Sequence, residues 1–129
     1  MSLIEVRNVE KTYQLGRTSV PALRGISFSV APGEFISIMG PSGCGKTTLL
    51  NVVGCIDRPT GGEVFIEDTN VQELSDDQEA DIRLHKIGFI FQSFNLIPVL
   101  NVYENIEFPM ILAGTPKRER RDFIMYLIE

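Results

Sequence analysis

Residues Gly40-Pro41-Ser42-Gly43-Cys44-Gly45-Lys46-Thr47 follow the spacing G-x-x-x-x-G-K-T, and Thr48 comes next. The glycines let the backbone approach a ligand in conformations that a side chain would forbid. A chain that leaves a short strand and enters a helix through such a turn aims several N–H groups, and the positive end of the helix dipole, at one point. That point is an anion site. Lys46 is long enough to reach the β- and γ-phosphates of a nucleotide, the Thr47 hydroxyl suits Mg²⁺, and Thr48 can donate to the α-phosphate. The pattern therefore predicts a nucleoside triphosphate site formed by Gly40, Pro41, Ser42, Gly43, Cys44, Gly45, Lys46, Thr47 and Thr48. For Cys44 two readings stand: an incidental side chain on an important backbone, or a thiol acidified by the helix N-terminus.

Two further residues have types that suit this chemistry. Tyr13 either packs in the core or stacks on a purine ring. Gln92 ends an apolar run, Gly88-Phe89-Ile90-Phe91, and so sits where ligands gather at the carboxyl ends of open α/β strands. Its amide can offer oxygen to Mg²⁺ and N–H to an attacking water, or it is simply solvated. After it comes Ser93-Phe94-Asn95-Leu96-Ile97-Pro98, a loop too apolar to face water, which points to contact with another protein. His85, the single histidine, follows a charged stretch and reads as solvated.

The elements that must position these residues are readable from periodicity. Strict alternation predicts half-exposed strands over residues 3–7 and 26–30, with a polar hairpin loop over 14–19. Residues 34–39 and 86–92 read as core strands, and 63–66 as another strand. The helix from Lys46 carries Leu49, Leu50, Val52, Val53 and Ile56, apolar nearly all round, and so should be buried. Ser75 with Gln78, and Asn101 with Glu104, have capping-box spacing. Val102, Ile106, Met110 and Ala113 form a core-facing stripe, which Pro109 should kink. Thr115-Pro116 reads as an N-cap followed by proline in the first turn, opening a helix with Phe123, Ile124, Leu127 and Ile128 on one side. The chain then stops at Glu129 without Gly, Pro or a polar tail, as though cut.

Composition bounds the partners. With 129 residues, 43% hydrophobic and 22% charged, the chain suits one small globular core. A net charge of −5 argues against nucleic acid, whose phosphates need a basic face. The one basic cluster, Lys117-Arg118-Glu119-Arg120-Arg121, reads as a solvated first helical turn. No stretch approaches the ~20 apolar residues of a membrane span, and Met1-Ser2-Leu3-Ile4-Glu5 lacks the pattern of a signal peptide. A cytoplasmic chain is expected, reaching a membrane only through a partner.

Lys11-Thr12-Tyr13, Pro21-Ala22-Leu23-Arg24-Gly25-Ile26-Ser27-Phe28, the phosphate loop with Thr48-Leu49-Leu50, and Gly88-Phe89-Ile90-Phe91-Gln92 together resemble the ATP-binding subunits of ABC transporters. Gly54-Cys55-Ile56-Asp57-Arg58-Pro59-Thr60-Gly61-Gly62-Glu63 and the loop after Gln92 are similar to the lipoprotein-release and macrolide-efflux branch. The resemblance spans essentially the whole chain. It implies an α/β fold: a P-loop NTPase (RecA-like) core over residues 34–58 and 86–129, the latter including the start of the helical region. An antiparallel β layer over 1–33 and 62–72 would join it, all in a single partial domain. It also implies that Tyr13 stacks on adenine, that Thr47 and Gln92 contact Mg²⁺, and that Ser93 to Pro98 receives the permease. A second nucleotide-binding domain would close over ATP, at the inner face of the cell membrane.

The family's L-S-G-G-Q signature, Walker B aspartate with its catalytic glutamate, and switch histidine do not occur in these residues. The resemblance also places later strands between residues 34–39 and 86–92. The fold is therefore expected to be incomplete, and the isolated piece poorly folded and inactive as an ATPase. Two other readings are a soluble ABC-type ATPase working on DNA or ribosomes, and a non-enzymatic nucleotide-binding remnant.

Overall fold

Alternating apolar and polar side chains build two long antiparallel strands, β1 (Ile4–Leu15) and β2 (Thr18–Val30), in the computed structural model, which describes residues 1–129. Both run further than the alternation predicts. Val6 and Val9 are buried although three residues apart, because a register shift lies between them and Asn8 takes φ 46° there. Such a bulge resets which face each residue meets. The hairpin is also tighter than expected: Gln14 pairs with Ser19 and Leu15 with Thr18, leaving only Gly16 and Arg17 to turn.

β3 (Gly61–Ile66) pairs with the other edge of β1, and the two-residue β4 (Thr69–Asn70) pairs with β3, giving the sheet order β2-β1-β3-β4. At Gly62, φ is +78°, and a side chain would run into the carbonyl oxygens of Arg7 and Asn8 on β1. One sheet face buries Val6, Val9, Leu23, Val30, Val64 and Ile66. On α1 (Lys46–Val53), Leu49 and Val52 are buried, whereas Leu50 and Ile56, the latter just past the helix, stay about half exposed. That helix is covered along one side only, not all round as its composition suggested. These elements, with the start of α2 (Asp76–His85), form a compact unit over residues 1–80.

A second unit spans residues 81–129 and is described by itself. It holds the end of α2, then α3 (Val102–Leu112) and α4 (Lys117–Ile128). Both capping boxes form as read. Ser75 N–H donates to Gln78 Oε1 at 2.9 Å and Gln78 N–H to Ser75 Oγ at 3.3 Å. Asn101 and Glu104 exchange the same pair of bonds at 2.8 and 2.9 Å. The cap of α4 falls one residue later than expected, on Pro116, with no side-chain bond. α3 runs on through Pro109, and its expected core stripe is not buried: no residue of the helix is. On α4 Ile124 alone of the four apolar residues is buried.

The largest departure concerns the two expected core strands. Residues 34–39 and 86–92 join no sheet. Phe35 is 96% exposed, Met39 88%, and Ile90 entirely so. A strand exists only when its N–H and C=O groups form a ladder with a neighbouring strand, and neither segment pairs with one. Within segment 86–92 the rings of Phe89 and Phe91 stack 5.6 Å apart, while Ile90 between them is fully exposed.

Candidate functional site

The phosphate loop is set by where α1 begins. Gly45, its N-cap, adopts φ +100°, a left-handed conformation open mainly to glycine. A Cβ there would come within 2.5 Å of Ala22 O on β2. The loop thus packs against the sheet through bare backbone. No side chain caps α1, so its first-turn N–H groups, among them those of Lys46, Thr47 and Thr48, are left for a ligand.

Lys46 turns back across the loop. Its ammonium donates to Gly40 O at 2.7 Å and Pro41 O at 2.8 Å, and lies 3.6 Å from Cys44 Sγ. A cation therefore sits over the loop that leads into the uncapped start of α1, with Gly40, Pro41 and Cys44 gathered around it. Ser42 and Thr47 are exposed. Beside the loop opens a cleft of about 340 Å³, lined by Pro21, Ala22, Leu23, Arg24 and Ile26 of β2 together with Gly43 and Cys44.

Tyr13, on β1, is half-buried, and its hydroxyl donates to Asp57 Oδ2 at 3.0 Å. Lys11, almost fully buried, donates to Asp57 Oδ1 and to Arg58 O, each at 2.7 Å, and its ammonium lies 5.0 Å from the Tyr13 ring centre. Arg58 reaches Asp76 Oδ1 and the buried Glu79, each at 2.9 Å; the second contact is an ion pair by distance, without hydrogen-bond alignment. Asp57 is not among the site residues that the sequence singles out. Its partners lie more than forty positions away, and no local pattern marks it.

Burial by itself would raise the Asp57 carboxyl. The hydrogen bonds from Lys11 and Tyr13, the Lys11 charge and the Arg58 N–H outweigh it and leave the pKa below the ordinary aspartate value. The folded state thus holds this proton less tightly than the unfolded chain does. Its contribution to stability is complete above about pH 4 and is lost as pH falls through the lowered folded pKa. In the full-length protein, Asp57→Asn should destabilise the fold by about 2 kcal/mol at neutral pH, because Lys11 keeps its buried charge without a counter-charge. Its urea midpoint should also fall less steeply than wild type below about pH 4. Parallel pH profiles for the two proteins would contradict the assignment.

Gln92 lies in the second unit, exposed in an irregular segment. The loop after it is apolar and exposed as expected, Phe94 at 91%. Asn105 on α3 holds its base: it accepts from Ile97 N–H at 2.8 Å and donates to the carbonyl oxygens of Ile97, Leu100 and Asn101 at 3.3, 2.9 and 2.9 Å. Asn105 also escaped the sequence reading. The basic cluster opens α4 as read, but Arg120 is not solvated: it pairs with Glu107 at 3.0 Å and donates to Thr115 O at 2.6 Å. His85 is half-exposed and lies 3.4 Å from Asp81.

Against known proteins, the ABC transporter family is matched over residues 23–128. The chain is 50% identical over 127 residues to an uncharacterized ABC transporter ATP-binding protein of Thermotoga maritima, covering 98% of this chain and 54% of that one. It is 51% identical over 114 residues to the macrolide export ATP-binding/permease protein MacB of Syntrophobacter fumaroxidans, covering 88% and 16%. Among solved structures it is similar to the dimeric post-hydrolysis state of the ATP-binding cassette MJ0796 of Methanocaldococcus jannaschii bound to ADP and Pi. There the TM-score is 0.88 at 45% identity, over 95% of this chain and 54% of that one. The chain spans about half the length of the curated ATP-binding proteins it matches.

Proposed function

Because the chain belongs to the ABC transporter family, we propose that its residues form the ATP-binding part of the subunit that powers a membrane transporter. The observation that carries this reading is the uncapped N-terminus of α1, with the Lys46 ammonium held across the glycine loop in front of it. Residues Gly40 to Thr48 take the phosphates, and Tyr13 the base. The Thr47 hydroxyl is a neutral, hard donor, which fits a Mg²⁺ ion that arrives on its nucleotide with phosphate oxygens filling much of the shell, and the Gln92 amide oxygen is a donor of the same kind. When bound, that ion neutralises charge on the β- and γ-phosphates. We assign residues 1–33 and 62–72 to the antiparallel layer, and 34–58 and 86–129 to the P-loop core and the start of the helical region.

Hydrolysis and transport belong to the whole protein. A second nucleotide-binding domain closes over the site, a reading supported by the dimeric MJ0796 cassettes. The exposed loop Ser93 to Pro98, latched by Asn105, receives the permease subunit, as the fused ATP-binding/permease relatives suggest. No helix of the chain is long and apolar enough to cross a membrane; attachment to the inner face of the cell membrane through the permease is the reading that the fused relatives support. Similarity to macrolide and pyoverdine exporters favours the efflux branch. The net charge of −5 disfavours DNA or ribosomes as the partner.

The test is to reconstitute the full-length protein with its permease in liposomes and to measure ATP hydrolysis with and without it. Leu96→Asp, at the exposed loop, should weaken the permease's stimulation by about tenfold, the cost of placing a charge in an apolar contact. Nucleotide affinity should not change. Hydrolysis stimulated by DNA or ribosomes and indifferent to the permease would favour the soluble reading instead.

A further inference from the structure

We propose that Asp57 is a positioning residue for the nucleotide base, its carboxylate fixing the Tyr13 ring to the far end of the helix whose N-terminus holds the phosphates. The inference rests on the reading of Tyr13 as the base platform and extends it.

Helix α1 is clamped at both ends. At its N-terminus the bare Cα of Gly45 lies against Ala22 O. Beyond its C-terminus the N–H groups of Ile56 and Asp57 both donate to Asn51 O, at 2.9 and 3.1 Å, pinning the Asp57 backbone to the helix. The Asp57 carboxylate then divides its oxygens: Oδ2 takes the Tyr13 hydroxyl proton and Oδ1 the Lys11 ammonium. Arg58, the next residue, is tied to Leu74 O, Asp76 and Glu79, which stiffens the same turn.

A tyrosine has two soft torsions: anchoring the hydroxyl oxygen restricts the swing of the ring about χ1, and because the O–H bond prefers the ring plane, directing it at Asp57 also biases χ2. The hydroxyl carries one proton, and that proton is directed to Asp57, so the ring meets a ligand through its face rather than through a donated bond. Eight helical residues span about 12 Å. The distance from base platform to phosphate cradle is therefore set by one short, doubly clamped helix instead of being found anew at each binding event. Preorganisation of this kind raises affinity by removing ordering costs from the binding step.

The competing explanation is that Tyr13–Asp57 is only a fold clip. Affinities for MgATP and for inorganic tripolyphosphate, measured on the full-length protein by calorimetry, separate the two. Tripolyphosphate fills the cradle but carries no base. Tyr13→Ala should weaken ATP by about tenfold or more, as loss of a base-stacking ring does. Tyr13→Phe and Asp57→Asn should each weaken it by about three- to fivefold, and the double variant no further than the worse single one. Tripolyphosphate should stay within about twofold throughout. If Tyr13→Ala weakens ATP selectively while Tyr13→Phe keeps the wild-type ratio, the ring works without its anchor, and the proposal falls while the base reading stands. If Tyr13→Ala leaves the ratio unchanged, the base reading falls and takes the proposal with it. Equal losses for both ligands in Tyr13→Phe and Asp57→Asn would mean a fold clip only. Tyr13→Phe, which buries no new polarity, keeps the test decisive even if Asp57→Asn does not fold.

Discussion

Lys46→Ala in the full-length protein should weaken ATP binding by about a hundredfold, the loss of roughly two charge-assisted bonds to phosphate. The fold itself should hardly change. In the free protein the ammonium only bridges the exposed carbonyls of Gly40 and Pro41, and water replaces it there at about 1 kcal/mol or less. Thermal shift reads both effects at once. At a concentration of ATP that is about 100 times the wild-type Kd, the ligand stabilises wild type by about 2.7 kcal/mol. A hundredfold weaker variant keeps only about 0.4 kcal/mol of that. Lys46→Arg should recover only part of the loss, because a planar guanidinium cannot replace a compact ammonium at the mouth of the loop. Wild-type ATP stabilisation in Lys46→Ala would remove the loop from the binding site and with it the functional reading.

That loop was legible because its signal is short-range. Eight consecutive residues carry both the turn and the charge, and the structure leaves α1 open at the predicted position. The capping boxes at Ser75 and Asn101 were legible for the same reason, since each bond spans three residues. Legibility ended where the physics became non-local. The alternation in residues 34–39 and 86–92 reports how a strand would present its side chains, but a ladder needs a partner, and none is among these residues. The stripe on α3 has the period of a core helix without a core to meet. Likewise, β1 was cut short on paper because the bulge at Asn8 shifts the alternation. Tyr13 was singled out, yet the carboxylate that holds it arrives from 44 positions away. Asn105 looked like one more helix residue until its bonds to the loop were seen.

Residues 1–129 prepared alone should show no cooperative urea transition and no multiple-turnover ATP hydrolysis. Burial is uneven: the first unit has a packed face running from Val6 to Val71, whereas Ile124 is the only buried apolar residue of the second. One such residue cannot offset the backbone entropy of ordering some fifty residues, which is on the order of 1 kcal/mol for each. Phe35, Met39 and Ile90 add large apolar surfaces that water must cover, at about 25 cal/mol for every Å². What weak protection from amide exchange remains should therefore lie in β1, β2, β3 and α1, with exchange fast throughout residues 86–129. A dye that fluoresces on apolar surfaces should bind. Chemistry fails for a separate reason. Lys46, Thr47 and the loop N–H groups can hold a triphosphate, but the L-S-G-G-Q segment is absent from these residues. The Asp57 carboxylate, beyond the other end of α1, is committed to Lys11 and Tyr13 and is not offered to water. Binding without turnover is the expected state of this half of the cassette. A single sharp transition together with steady ATP hydrolysis would show that these residues pack and react in a way that neither the exposed Phe35 nor the open loop foretells.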